Sequence, residues 1–315
     1  MGFTNFPNGI TSFGLPVIGS GSTLPVSTGT YFFVSSVVGN SGNDGLTAQN
    51  PVATIQQAID KCTAAKGDVI VLMPGHAETV SAGSIAMNKS GVQVISLGTG
   101  SLRATFTFGA AAATITVSVA NCSFRNCRFV ANFADVASAI TLTTAVGFSV
   151  DNSEFLDTSS ILNFLVCVTT GATDNTADGL SFTNNYVYSL PTTAGAVVSI
   201  LSNTLRLNVS DNVVDKAATN NAGQLITLSS KIVGGVRIMR NVLTVTGAAG
   251  TTVGILFTGS GTTSSGICAY NLVNSLDTTT ALIATAGTKI SFQENYVSGA
   301  VDASGTLYPA ADNPA

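Results

Sequence analysis

The sequence predicts an all-β chain, a solenoid of short strands that is closed at its start by one helix and preceded by an extended arm. Three observations predict it. One short phrase recurs seven times from Cys122 to Asn295, charged residues are scarce, and the first thirty residues are punctuated unlike the rest. In the phrase two apolar residues stand at alternate positions, an Asn follows two or three residues later, and an apolar residue comes soon after. The instances begin at Cys122, Phe148, Leu180, Leu207, Val236, Ile267 and Ile290 and reach Asn126, Asn152, Asn185, Asn212, Asn241, Asn271 and Asn295. Successive Asn residues lie 26, 33, 27, 29, 30 and 24 positions apart. A period near 28, written in strand alternation with turn residues after it, is the pattern of stacked rungs.

Asn at a recurring corner has a physical reason. It tolerates the left-handed backbone that a sharp turn needs, and rungs stacked about 4.8 Å apart let each side-chain amide bond the next. All seven Asn residues are therefore expected at one turn, as a structural ladder. The gap between the second apolar residue and the Asn is two in some copies and three in others.

In chain order, residues 1–30 form the arm. Phe3, Phe6, Ile10, Phe13, Leu15 and Val17 are interleaved with Pro7, Gly9, Gly14 and Pro16, which break any helical or strand period. A segment this apolar needs a surface to lie on. Residues 31–80 read as a cap and first rung. Tyr31–Val37 alternates as a strand, and Gly39–Gly45 is a polar turn. A helix near Thr54–Ala65 opens on a capping box of Thr54 with Gln57. It carries Ile55, Ala58, Ile59 and Cys62 on one face and stops at Gly67. It is the expected lid, because an uncovered first rung exposes unpaired backbone groups. Asp68–Pro74 follows as a buried strand, residues 81–300 as rungs, and 301–315 as a tail too short to cover the far end alone.

The runs Asn43-Asp-Gly-Leu, Pro51-Val-Ala-Thr-Ile-Gln-Gln-Ala-Ile-Asp60 and Gly67-Asp-Val-Ile-Val-Leu-Met-Pro-Gly75 resemble the N-terminal cap and first rung of the right-handed parallel β-helix proteins of the pectin-lyase-like superfamily. The Asn phrase resembles that family's asparagine ladder. The resemblance spans roughly residues 31 to 300 and implies a fold. It implies no single function, since lyases, hydrolases, adhesins and virus spikes share it. Within the arm, Asn5-Phe-Pro-Asn-Gly-Ile-Thr-Ser-Phe-Gly-Leu-Pro-Val17 resembles the starts of proteins that tailed bacteriophages encode beside their major capsid protein, among them trimeric head-decoration or cement proteins with spike-like bodies.

Charge narrows the function classes. Only 9% of residues are charged, against a usual ~25%, and Ser, Thr, Asn and Ala cover the surface instead. Such a surface suits dense assembly, where charges would have to be desolvated. A net charge of −4 and scattered basic residues exclude a nucleic-acid stripe. No apolar run approaches the ~18 residues of a membrane span. The start lacks a secretory pattern, and Phe6 stands where myristoylation wants Ser or Thr. Cys62, Cys122, Cys127, Cys167 and Cys268 form no CxxC pair and read as small buried apolar residues of a protein folded in a reducing host cytoplasm.

No catalytic or metal site is expected. Polysaccharide cleavage on a β-helix needs neighbouring carboxylates, some 5–9.5 Å apart for hydrolysis, or acidic residues holding calcium. Asp151, Glu154 and Asp157, Asp174 and Asp178, Asp211 and Asp215, and Glu294 read as solvated turn carboxylates, and His76, the one histidine, lies near the cap. Asp44 is the one charge in the Gly39–Gly45 turn, too few for calcium. Phe124, Phe129, Phe148, Phe155, Phe182 and Phe292 read as core stacks. The function expected is that of a structural virion protein without cofactors: a capsid decoration protein on the head surface, homotrimeric, with the major capsid protein as partner. The alternatives are a tail spike or polysaccharide depolymerase, and a non-catalytic glycan or host-receptor spike.

Overall fold

A computed structural model describes residues 27–190 without a break, with 11–12, 15–16 and 24–25 before them. After them it describes 195–217, 225–228, 231–245, 254–257, 264–275, 282–284, 289–298 and 306–308. These residues form a parallel β-helix of three sheets, of ten, ten and eight strands, whose neighbours are successive turns of the coil. Each full turn places one short strand in each sheet; Ser123–Arg125, Arg128–Ala131 and Ile140–Leu142 make one such turn. Ten strands at the usual spacing rise about 43 Å from first to last.

Alternation decides what is inside. In the second sheet Phe106, Phe129 and Phe155 stack on successive turns, with ring centroids 5.8 and 4.7 Å apart, and Phe182 of the first sheet continues the row at 5.5 Å. Phe124, Phe148 and Phe292 are also buried. In the third sheet, triplets such as Ile115-Thr-Val117, Ile140-Thr-Leu142 and Val198-Ser-Ile200 turn both outer members inward and a small hydroxyl outward. All five cysteines are buried and free.

The helix, α1 (Ile55–Lys61), is shorter than the sequence predicts. Its capping box is present: Thr54 accepts from the Gln57 amide, and Gln57 Oε1 accepts from the Thr54 amide. It stops at Cys62 because Asp68 Oδ2 takes the Thr63 N–H at 2.7 Å and the chain turns extended there. As a lid, α1 serves the top strands of two sheets. Glu78 Oε2, on the first strand of the second sheet, accepts the Ile55 N–H at 2.9 Å. Gln56 Oε1 accepts the Ala86 N–H of the first strand of the third sheet at 2.8 Å, filling a bond that a missing rung leaves open. Thr54→Ala is expected to lower stability by about 1 kcal/mol, the usual value of such a cap, read as a shift in the chemical-denaturation midpoint.

Leu24 reaches the outside of the first sheet. Leu24, Tyr31, Phe33 and Leu97 pack there against buried Val69, Val71 and Ile95. The Tyr31 hydroxyl donates to the Pro25 carbonyl at 2.7 Å, and the Thr30 N–H reaches Asp68 Oδ1 at 2.6 Å. Of the expected arm, Phe3, Phe6, Ile10, Phe13 and Val17 lie outside the described residues. Leu15 is described as part of a two-residue strand, Leu15–Pro16, antiparallel to Thr11–Ser12. At the far end Thr306–Tyr308 pairs antiparallel with Asn295–Ser298.

Candidate functional site

The corner between the first and second sheets is two residues long and repeats through the coil. Its first residue has a positive φ: Asn126 at 58°, Asn152 at 48°, Asn184 at 55°, Asp211 at 61°, Arg240 at 54°, Tyr270 at 58° and Glu294 at 45°. Its second residue is Cys127, Ser153, Asn185, Asn212, Asn241 or Asn271, each just before its second-sheet strand, or Asn295, the first residue of its strand. So sharp a turn leaves one N–H and one carbonyl per rung out of the strand ladder, and both are buried. The following Asn supplies both. Asn241 Oδ1 accepts the Asn212 N–H at 3.1 Å, and its Nδ2 donates to the Val209 carbonyl at 2.9 Å. Asn185, Asn212, Asn271 and Asn295 repeat the pattern.

Two of the seven predicted ladder residues stand elsewhere. Asn126 and Asn152 occupy the left-handed position, one residue early, and the ladder position on their turns is held by Cys127 and Ser153. Ser153 Oγ takes the Cys127 N–H at 3.1 Å in place of an amide. Asn126 is still buried and donates to the Ser96 and Gly98 carbonyls at 2.7 and 2.8 Å, whereas Asn152 is exposed. The gap of two against three in the sequence is this difference of position. His76 falls in the same column above them, buried, its Nδ1 accepting the Ser36 N–H at 3.0 Å and its Nε2 3.3 Å from Glu78 Oε2.

Outside the coil the carboxylates beside this corner are occupied. Asp151 accepts from Thr183 Oγ1 at 3.0 Å and Asn184 Nδ2 at 2.8 Å with one oxygen, and its other lies 3.4 Å from Arg125 Nε. Glu154 meets Arg103 at 3.0 Å and Arg128 at 2.6 Å, one on each oxygen. Asp211 is held by both ends of the Arg240 fork at 2.6 and 2.7 Å. Asp174 accepts from the backbone and side chain of Asn203, Asp178 from the Leu205 N–H, and Asp44 closes its own turn onto the Leu46 N–H.

Asp157 corrects the expectation of a solvated turn carboxylate. On the strand Glu154–Asp157 it points inward with Phe155, and its two oxygens take the N–H groups of Phe164 and Leu190, each at 2.9 Å. Two turns on in the same inward column, past Ser189, lies Lys216, whose ammonium donates to the Gly195 carbonyl. Burial pushes the Asp157 carboxyl up to about 6, against the pull of its hydrogen bonds and of Lys216. Burial likewise lowers Lys216 to about 8, against the pull of Cys167 and Asp157. Lys216 escaped the sequence reading, although an inward position on Val213–Lys216, beside Val214, was the signal for it.

These parts, a coil of three parallel sheets with an amide ladder at one corner, decide the fold. It is a parallel β-helix. No known protein family matches the chain, and no curated protein does. Among solved structures it is similar to a rhamnogalacturonan lyase, with 12% identity, a TM-score of 0.41 and coverage of 89% of this chain and 90% of that one. It is also similar to the pectate lyase Pel9A, at 16% and 0.44 over 91% and 82% of the two chains. The protein ORF18 of Geobacillus virus E2 matches at 13% and 0.31, over 84% of this chain and 62% of that one. At such identities and scores these likenesses speak to neither activity nor partner.

Burial raises the pKa of every cysteine thiol, Cys62 and Cys127 to about 12, the opposite of what a nucleophile needs. Among the described residues no three His, Cys, Asp or Glu side chains are grouped to hold a metal ion, and no helix is long and apolar enough to cross a membrane.

Proposed function

We propose that this chain is a structural, non-catalytic protein of a virus particle, a bacteriophage capsid decoration protein that grips the head shell through its N-terminal arm. The reading rests above all on the outer carboxylates. Acid–base or nucleophilic cleavage of a glycosidic bond needs a carboxyl oxygen facing substrate, and both oxygens of Asp151 and of Glu154 already face Arg, Thr or Asn donors. The resemblance of the arm to phage head proteins and the scarcity of charge support it further. Leu24 packs on the outer face of the first sheet, near the capped end. As a clamp bound to the assembled shell and not to separate subunits, the protein would stabilise the particle by mass action.

The full chain mixed with phage heads that lack it is expected to co-sediment with them and to raise the temperature at which they release DNA. A chain lacking residues 2–23 should remain folded and fail to bind. Undiminished binding by the shortened chain would remove the arm from the account. Reducing ends released from host capsule or lipopolysaccharide, and lost on Asp151→Asn or Glu154→Gln, would make the protein a depolymerase instead.

A further inference from the structure

The outer face of the second sheet carries an exposed, largely apolar row with one unpaired charge beside it. Tyr186, Val213, Val242, Leu272 and Tyr296 are partners on five successive turns and are 38–50% exposed. In the next outward column Tyr188 stands over Asp215, and Asp215 over Thr244. Above Tyr186 the row passes into Glu154 and then Arg128, which hold each other at 2.6 Å. Asp215 has no such partner: among the described residues its carboxylate accepts no hydrogen bond and meets no Lys or Arg. The row and Tyr188 leave on the order of 500 Å² open, the size at which a patch marks a binding surface. That falls short of the ~800 Å² per partner that two folded surfaces bury and suits one short chain.

We propose that this row docks an extended, proline-rich segment of another protein, laid along the coil axis as a polyproline II helix with a basic side chain set on Asp215. Such a helix makes no internal hydrogen bonds, so its carbonyls need donors from outside. Tyr186, Tyr188 and Tyr296 supply phenol hydroxyls at the two ends of the row. Partial burial, and next the Asp215 carboxylate, hold the pKa of the Tyr186 phenol above its usual value, which keeps it a donor. Val213, Val242 and Leu272 between them offer apolar contact and no side-chain polar atom. That suits proline and aliphatic side chains and leaves the hydroxyls of a sugar chain unanswered. An Arg or Lys of the segment meets the Asp215 carboxylate and, one turn above it, the ring of Tyr188. An acidic polymer would be repelled there.

Spacing favours this conformation over the others a peptide adopts. From Tyr186 to Tyr296 the row spans four steps of the coil, about 19 Å. A polyproline II helix turns in three residues and advances about 9.3 Å, so one face returns at every second step of the coil, about 9.6 Å. That face meets Tyr186, Val242 and Tyr296, and slips by only about 0.6 Å over the whole row. An α-helix returns about every 5.4 Å and slips by about 2.4 Å over the same four steps. A β-strand needs an open sheet edge, whereas the row lies on a face whose strands are paired on both sides. The preformed helix also loses little chain entropy on binding. The row and residues 1–30 are separate parts of the chain, so this inference and the arm's grip on the head fail independently.

The test is fluorescence anisotropy of a labelled probe peptide, Arg-Pro-Leu-Pro-Pro-Leu-Pro-Pro-Leu, titrated with the full chain. Saturable binding is expected. Tyr296→Ala and Asp215→Arg should each weaken it about tenfold with an unchanged circular dichroism spectrum, while Thr169→Glu on the outer face of the third sheet should leave it as it was. A probe that begins with Glu in place of Arg should bind Asp215→Arg more tightly than it binds wild type. Should Asp215→Arg fail to fold, the Glu probe on the wild-type chain reads the same charge and should bind about tenfold more weakly than the Arg probe. A probe with alanine in place of every proline should also lose about tenfold. No saturable binding, equal binding of the Arg and Glu probes or of the proline and alanine probes, or wild-type affinity in Tyr296→Ala would overturn the proposal. Displacement of the probe by maltohexaose at lower concentration than by unlabelled peptide would make the row a sugar platform and overturn it as well.

Discussion

Replacing Asn241 by alanine is expected to lower the stability of the fold by about 3–5 kcal/mol, through two orphaned backbone groups at ~1–3 kcal/mol each together with the lost side-chain bond. The groups are the Asn212 N–H and the Val209 carbonyl, buried at the corner and bonded to the Asn241 amide. The Asn212 side-chain amide loses a partner as well. Asn152→Gly is the comparison. Asn152 belongs to the same repeated phrase but is exposed, with φ at 48°, where glycine is at ease, so its replacement should stay within about 0.5 kcal/mol. Chemical denaturation of the two variants reads the contrast, and equal losses would mean that the ladder amides carry no special weight.

Lys216→Met is expected to cost about 1–3 kcal/mol near pH 7, the usual penalty for a buried acceptor left unpaired, because the Gly195 carbonyl loses the ammonium that donates to it. The penalty should shrink as the pH falls, and the sign follows from the two shifts. Asp157 is raised from 3.8 to about 6, so the folded chain holds that proton more tightly than the unfolded one. Between about pH 4 and 6 the native state carries more protons, and stability falls as pH rises through that window. Lys216 is lowered from 10.5 to about 8; the native state sheds its proton first, and stability rises between about pH 8 and 10.5. Near pH 4 Asp157 is neutral and leaves no stranded anion when Lys216 is gone. Asp157→Asn should remove the acid window, so that its stability relative to wild type improves by roughly 2–3 kcal/mol from pH 4 to pH 7. Parallel curves for wild type and Asp157→Asn across that range would show that burial costs Asp157 nothing.

The coil was legible in the sequence because its tightest corner is two residues long, and so short a corner tolerates few residue types. The cap was legible for the same reason, through Thr54, Gln57 and the spacing of Ile55, Ala58 and Ile59. What blurred was position within the corner. Asn suits the left-handed residue and also the amide that follows it, for unrelated reasons, so Asn126 and Asn152 read like Asn185 although they do different work. The third sheet wrote no phrase, since its triplets are joined by turns of varied length with no corner residue in common. Asp157 and Lys216 were hidden because a single inward charge on a four-residue strand looks, in one dimension, like the start of a turn. The exposed outward row of Tyr186, Val213, Val242, Leu272 and Tyr296 on the second sheet was hidden too, because its members are about 28 residues apart and only the register of the coil makes them neighbours.

That register also sets how the molecule stores length. A turn spends about 28 residues, some 90–100 Å of extended chain, to advance about 4.8 Å along the axis. The body is thus a reel wound roughly twentyfold, and a pull along its axis meets backbone hydrogen bonds in line with the load. It yields by paying out whole turns from an end in place of stretching. A gene that gains or loses one turn alters the height of the body by a single step and leaves the helix lid at one end and the Thr306–Tyr308 strand at the other as they were.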